Sequence, residues 1–117
     1  MAQNSQIAFA PIGETVVVAA AASAPTGVQA LVDARFDAQS TGQYRIINSS
    51  SNIVFLGVGS TAALATANAV APVAGDPSPA IVLVPGAVEV LRFTREAYFS
   101  GLASSASTVY IVQGEGM

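Results

Sequence analysis

The chain has 117 residues, the size of one domain with one hydrophobic core. Only 9% of them are charged, the net charge is −3, and histidine, cysteine and tryptophan are absent, whereas about 25% charged residues is ordinary for a globular protein. The four cations are Arg35, Arg45, Arg92 and Arg95, so disulfides, thiolate metal sites, the usual catalytic bases and a basic stripe for phosphates are all excluded.

Taken in order, the chain reads as short β-type runs separated by turn residues. Residues 1–6 hold no basic segment, so the apolar stretch after them is not expected to be a signal peptide. Ile7 to Phe9 reads as a short strand closed by Pro11 and Gly13. Thr15 to Ala20 is rich in β-branched residues and ends at the cluster from Ser23 to Gly27. The most apolar run, Val16 to Ala22, falls far short of the ~20 residues that span a bilayer, so no membrane partner is expected. Val28 to Val32 and Gln43 to Ile47 follow as strands, the second bounded by Thr41-Gly42 and by Asn48 to Asn52. Ile53 to Val58 is almost continuously apolar, which predicts burial on both faces.

Thr61 to Ala71 has alanine at 62, 63, 65, 67, 69 and 71. Alanine favours helix, yet the alternation from Ala65 to Ala71 also fits a strand against a close neighbour. Both readings stand at this point. Beyond Gly75 to Pro79, Ile81 to Val84 and Ala87 to Phe93 are strands joined by Pro85-Gly86, the central pair of a type II turn. In the second of these, Val88, Val90 and Arg92 face one way, and Glu89, Leu91 and Phe93 the other. Tyr98 to Leu102 and Thr108 to Val112 complete the series. Strands at intervals of about ten residues predict an all-β domain, a β-sandwich or jelly-roll-like fold. It spans 1–117, with at most one short helix in the alanine-rich segment and extended arms at 1–13 and 113–117. The hydrophobic fraction is 52% and leans on Ala and Val, so the core is expected to be thin and finely interdigitated.

Three motifs invite a chemical reading. Gly57-Val58-Gly59-Ser60-Thr61-Ala62 matches a dinucleotide-binding fingerprint, with Asp76 near the ribose-binding position. The repeated βαβ units that this fold requires are missing, so a glycine turn after a buried strand is preferred. Asp33 and Asp37 bracket Arg35; the carboxylates could divide acid and base roles or hold a cation, but the arginine between them favours a surface ion cluster. Glu89 and Glu96 beside Arg92 and Arg95 read as a solvated edge or an intersubunit contact. Serines are plentiful, but they lack a base, and the Gly-x-Ser-x-Gly order of a nucleophile elbow is absent. No enzyme and no cofactor are expected.

Among the aromatic residues, Phe55 and Phe93 are expected in the core. Tyr98 and Phe99 are adjacent, so in a strand one of them faces away. The candidate interface residues are Phe9, Tyr98, Phe99, Arg92 and Arg95.

The series Gly13-Glu14-Thr15-Val16, Tyr44-Arg45-Ile46-Ile47-Asn48, Val54-Phe55-Leu56-Gly57-Val58-Gly59, Pro85-Gly86-Ala87-Val88-Glu89-Val90 and Thr108 to Gly116 resembles small virion structural proteins of tailed bacteriophages. The resemblance covers most of the chain in order. It implies a compact β module on the capsid surface, made in the host cytoplasm, that decorates or cements the head by binding between subunits of the major capsid protein. Neighbouring virion subunits and further copies of the chain are the implied partners, with no nucleic acid. A tail or head-tail connector subunit has the same character, and a small-ligand or glycan-binding β-sandwich is the alternative from another class. No catalytic residue carries over.

Overall fold

The computed structural model describes residues 10–11, 13–31 and 42–115. Within them the β-branched and aromatic runs form β1 (Ala10–Pro11), β2 (Val16–Ala20), β3 (Val28–Gln29), β4 (Gln43–Asn48), β5 (Val54–Gly59), β6 (Ile81–Leu83), β7 (Val88–Arg92), β8 (Tyr98–Ala103) and β9 (Ser107–Glu115). One sheet has the order β1-β9-β4-β7 with β2 also on β9, and the other has the order β3-β8-β5-β6. Every ladder is antiparallel. β1 and β2 together act as one interrupted strand along β9. At Ala21 the chain then crosses to the four-stranded sheet, where the Ala103 N–H donates to its carbonyl (2.9 Å). This is the all-β sandwich that the strand spacing predicts.

Differences from the sequence reading are local. Strand β9 extends past Val112 to Glu115, because β4 and β1 both supply ladder partners for its end. Where they are described, the stretches expected as arms are therefore paired in the five-stranded sheet. Strand β3 stops at Gln29, while Ile7 to Phe9 and Val32 lie outside the described residues. The alanine-rich segment is a helix, α1 (Ala62–Asn68), capped by Thr61, whose Oγ1 accepts from the Leu64 N–H (3.2 Å). Ala65 is its buried residue. Pro85 and Gly86 form the expected turn: Gly86 has φ 78°, and the Ala87 N–H donates to the Val84 carbonyl (3.0 Å).

The inward rows of the two sheets make the core. Val18, Tyr44, Ile46, Val109 and Ile111 face Val54, Leu56, Leu83 and Phe99, all essentially inaccessible to solvent. Tyr44, Phe93 and Phe99 form an aromatic cluster with centroids 5.0–6.0 Å apart, so Phe93, though only partly buried, packs inward against the core. Phe55 does not. It lies opposite Val82 and Leu102 on the outer face of the four-stranded sheet and is half-buried.

Polar side chains fix the two ends of this core. Tyr44 reaches the turn between β7 and β8: its Oη accepts from the Ala97 N–H (2.9 Å), and its hydroxyl donates to the Thr94 carbonyl. Burial raises the phenol above its usual pKa, against a smaller opposing pull from the Ala97 N–H. Gln113 Oε1 accepts from the Glu96 N–H (3.1 Å), and Gln29 Nε2 donates to the Glu96 carbonyl (3.1 Å). These bonds hold Glu96 at φ 53°, in the left-handed region that a non-glycine residue rarely adopts.

At the other end Asn48 is fully buried. Its Nδ2 donates to the carbonyls of Asn52 (2.9 Å), Leu83 (3.1 Å) and Val84 (3.1 Å), and its Oδ1 accepts from Ser50. Its backbone bonds Ala87 and Gly86. One side chain thus ties β4 to the turn between β6 and β7. An orphaned buried carbonyl costs about 1–3 kcal/mol, so Asn48→Ala is expected to lower stability by roughly 2–4 kcal/mol in urea unfolding with an unchanged slope. Ser51→Ala, at an exposed position, should stay within about 0.5 kcal/mol of the parent.

Candidate functional site

In an antiparallel ladder, directly opposed residues point to the same face, so the registers define what the five-stranded sheet shows to solvent. Val17 lies opposite Tyr110, Tyr110 opposite Ile47, and Ile47 opposite Val88. This apolar row crosses β2, β9, β4 and β7 on the outer face. Val17, Tyr110 and Val88 are 49%, 40% and 55% exposed. The next row, Val112, Arg45 and Val90, places one exposed cation between two half-buried valines. Beyond it Gln43 sits between Gly114 and Arg92. An antiparallel sheet with one wet face usually alternates apolar inward and polar outward. Here the outward row is apolar too.

The other sheet has part of its outer face covered by a helix. Helix α1 lies over β5 and β8, and a Cβ on Gly57 would stand 2.2 Å from the Ala65 carbonyl oxygen and 2.4 Å from the Ala69 nitrogen. The Asn68 amide donates to the Val58 carbonyl (2.8 Å), and Thr66 and Ser100 both donate to the Pro25 carbonyl (2.9 and 2.7 Å). Gly57 and Gly59 therefore belong to the strand and make room for a helix backbone, which accounts for the fingerprint-like spacing without a ligand.

The candidate interface residues fall in different places. Phe99 is fully buried in the aromatic cluster, so it is core, and Tyr98 is the outward member of the pair. Tyr98 lies opposite Gln29 and Gly59 and is half-buried. Arg92 is exposed on β7, whereas Arg95 is half-buried in the turn after it, with Nη1 4.0 Å from Glu96 Oε1. Phe9, Asp33, Arg35 and Asp37 lie outside the described residues. The structure thus leaves Arg92 beside the apolar face and separates it from Tyr98 and Phe99. Val17, Ile47, Val88 and Tyr110 were not legible as a set, because only the register brings them together.

A shallow depression of about 250 Å³ lies at the edge of this face, lined by Gln43, Val90, Leu91 and Arg92. Among the described residues, no group of three acidic side chains is placed to hold a metal ion, and no helix is long and apolar enough to cross a membrane. No protein-family model, curated protein or solved structure matches the chain.

Gly57→Ala is expected to displace α1 and cost about 1–3 kcal/mol, seen as a lower melting temperature. Adding a dinucleotide should leave the melting temperature of the parent chain unchanged. A ligand-dependent rise would favour the nucleotide reading instead.

Proposed function

We propose that the chain is a structural protein of a tailed-phage virion, a decoration or cement protein that binds between major capsid subunits and stabilises the head. The resemblance in sequence motivates the virion assignment. The observation that carries a docking role is the outer-face row Val17, Tyr110, Ile47 and Val88, in which all but the half-buried Ile47 are exposed. Contiguous apolar surface of this kind marks interaction sites, and aromatic residues such as Tyr110 are preferred anchors within them.

Docking works through area and shape. Burying apolar surface contributes roughly 25 cal/mol per Å², and β-branched side chains on a sheet have little rotamer freedom to lose. Many such contacts repeated over a shell resist expansion without strong charge pairs, which suits a chain with 9% charged residues. Arg45, central in the face, selects orientation: a partner that leaves it unpaired under apolar cover incurs the cost of a buried charge.

The test is the composition and heat stability of particles purified from cells producing the chain. The chain should be present in stoichiometric amount, and particles made without it should rupture at lower temperature. Tyr110→Glu should keep the melting temperature of the free protein within a few degrees and abolish particle attachment. Particles that lack the chain, or attachment that survives Tyr110→Glu, would contradict the proposal.

A further inference from the structure

The outer face ends at β7, and among the described residues β7 has β4 on one side and no strand on the other. The ladder fixes which of its backbone groups are free. The Asn48 N–H donates to the Ala87 carbonyl and the Phe93 N–H to the Gly42 carbonyl (2.9 and 2.8 Å). With Tyr44 opposite Leu91 and Ile46 opposite Glu89, residues 87, 89, 91 and 93 bond to β4. The N–H and C=O groups of Val88, Val90 and Arg92 therefore point away from the sheet. Their side chains share the outer face, as the sequence reading expects.

Natural edges are usually blunted by charged side chains, proline, a bulge or brevity, and β7 has only its two charges, Glu89 and Arg92. Of the edges of the other sheet, β3 is two residues long, and β6 is three residues long and lies between Pro79 and Pro85. β7 has five residues and no proline. Beside its free groups lies the depression lined by Gln43, Val90, Leu91 and Arg92.

We infer that β7 accepts an extended segment of a partner protein as an added strand, and that this segment carries a carboxylate to pair with Arg92 and apolar side chains to lie over Val88 and Val90. The inference deepens the docking role proposed above and rests on it. Charge selects the partner. Among the described residues neither Arg45 nor Arg92 makes an ion pair, and the outer-facing residues of β7, β4, β9 and β2 named above include no acid.

A second copy of β7 does not supply one. In an antiparallel pair two opposed residues are of one kind, either both bonded across the pair or both turned away from it, so in a pairing of two β7 edges 88, 90 and 92 can oppose only one another. Glu89 has the other parity and lies on the opposite face from Arg92. Every such self-pairing therefore sets Arg92 against valine or against a second arginine. An acidic, apolar segment of a different chain satisfies the edge, the depression and the cation together.

The probe is a synthetic peptide containing Glu-Thr-Val-Thr-Val, compared with its lysine-for-glutamate analogue. The full chain should bind the acidic peptide at least tenfold more tightly, with slowed hydrogen exchange at the amides of Val88, Val90 and Arg92. Arg92→Glu should reverse the preference. Val90→Pro should abolish binding while the fold persists, because that N–H serves no ladder bond and proline is tolerated on an edge. Equal binding of both peptides, no binding, or protection at another strand would overturn the inference. Failure here, with particle attachment still dependent on Tyr110, would leave the docking face standing. Peptide binding at β7 by a chain absent from particles would remove the virion assignment and keep the edge site.

Discussion

The register of β4 on β9 is the constraint from which the rest of the molecule follows. It sets Ile46 opposite Ile111 in the core and Ile47 opposite Tyr110 on the surface. A slip of one residue would exchange the two faces. In most half-buried sheets that slip drives polar residues inward and is forbidden by hydrophobicity alone. Here both rows are apolar, so hydrophobicity discriminates weakly, and the buried polar side chains take over. Asn48, Tyr44 and Gln113 find their partners only in the observed register. Slipped, each would carry a desolvated amide or phenol to a place without a partner.

These same groups connect the register to the shape of the surface. Asn48 holds the turn that places β7 beside β4, and Tyr44 and Gln113 hold the turn that leaves β7 for β8. The last strand of the outer face is thus anchored at both ends, although among the described residues one of its edges has no partner strand. The row Val17, Tyr110, Ile47 and Val88 is consequently part of a stiff sheet. A rigid apolar surface loses little conformational entropy on docking, which favours a repeated structural contact. The four-stranded sheet contrasts with it, because α1 covers its outer face at Gly57 and Gly59, where the missing side chains let the helix lie close.

Much of the fold was legible in the residues. Strand positions, the turn at Pro85-Gly86 and the two faces of β7 follow from local pattern, since alternation and turn chemistry act over a few residues. What local pattern misplaced or left open has one cause. Phe55 stands in a run without polar interruption, so nothing local says which side is outward, and its neighbours Val54 and Leu56 take the core. Between Tyr98 and Phe99 the choice depends on Val58 and Val28 across the sheet. Glycines 57 and 59 resemble a ligand loop because close backbone approach is what both a phosphate and a helix require. The proposed docking row draws one residue from each of four strands spread from 17 to 110, so no window of sequence contains it.

Hydroxyl-radical footprinting of the chain, free and on the particle proposed as its partner, probes the outer face without altering it. If the five-stranded sheet is the docking surface, Tyr110, Val17 and Val88 lose most of their labelling on the particle, while Leu64 on α1 labels as it does in the free chain. Protection of Leu64 with Tyr110 still labelled would place the contact on the helix side and contradict the central claim.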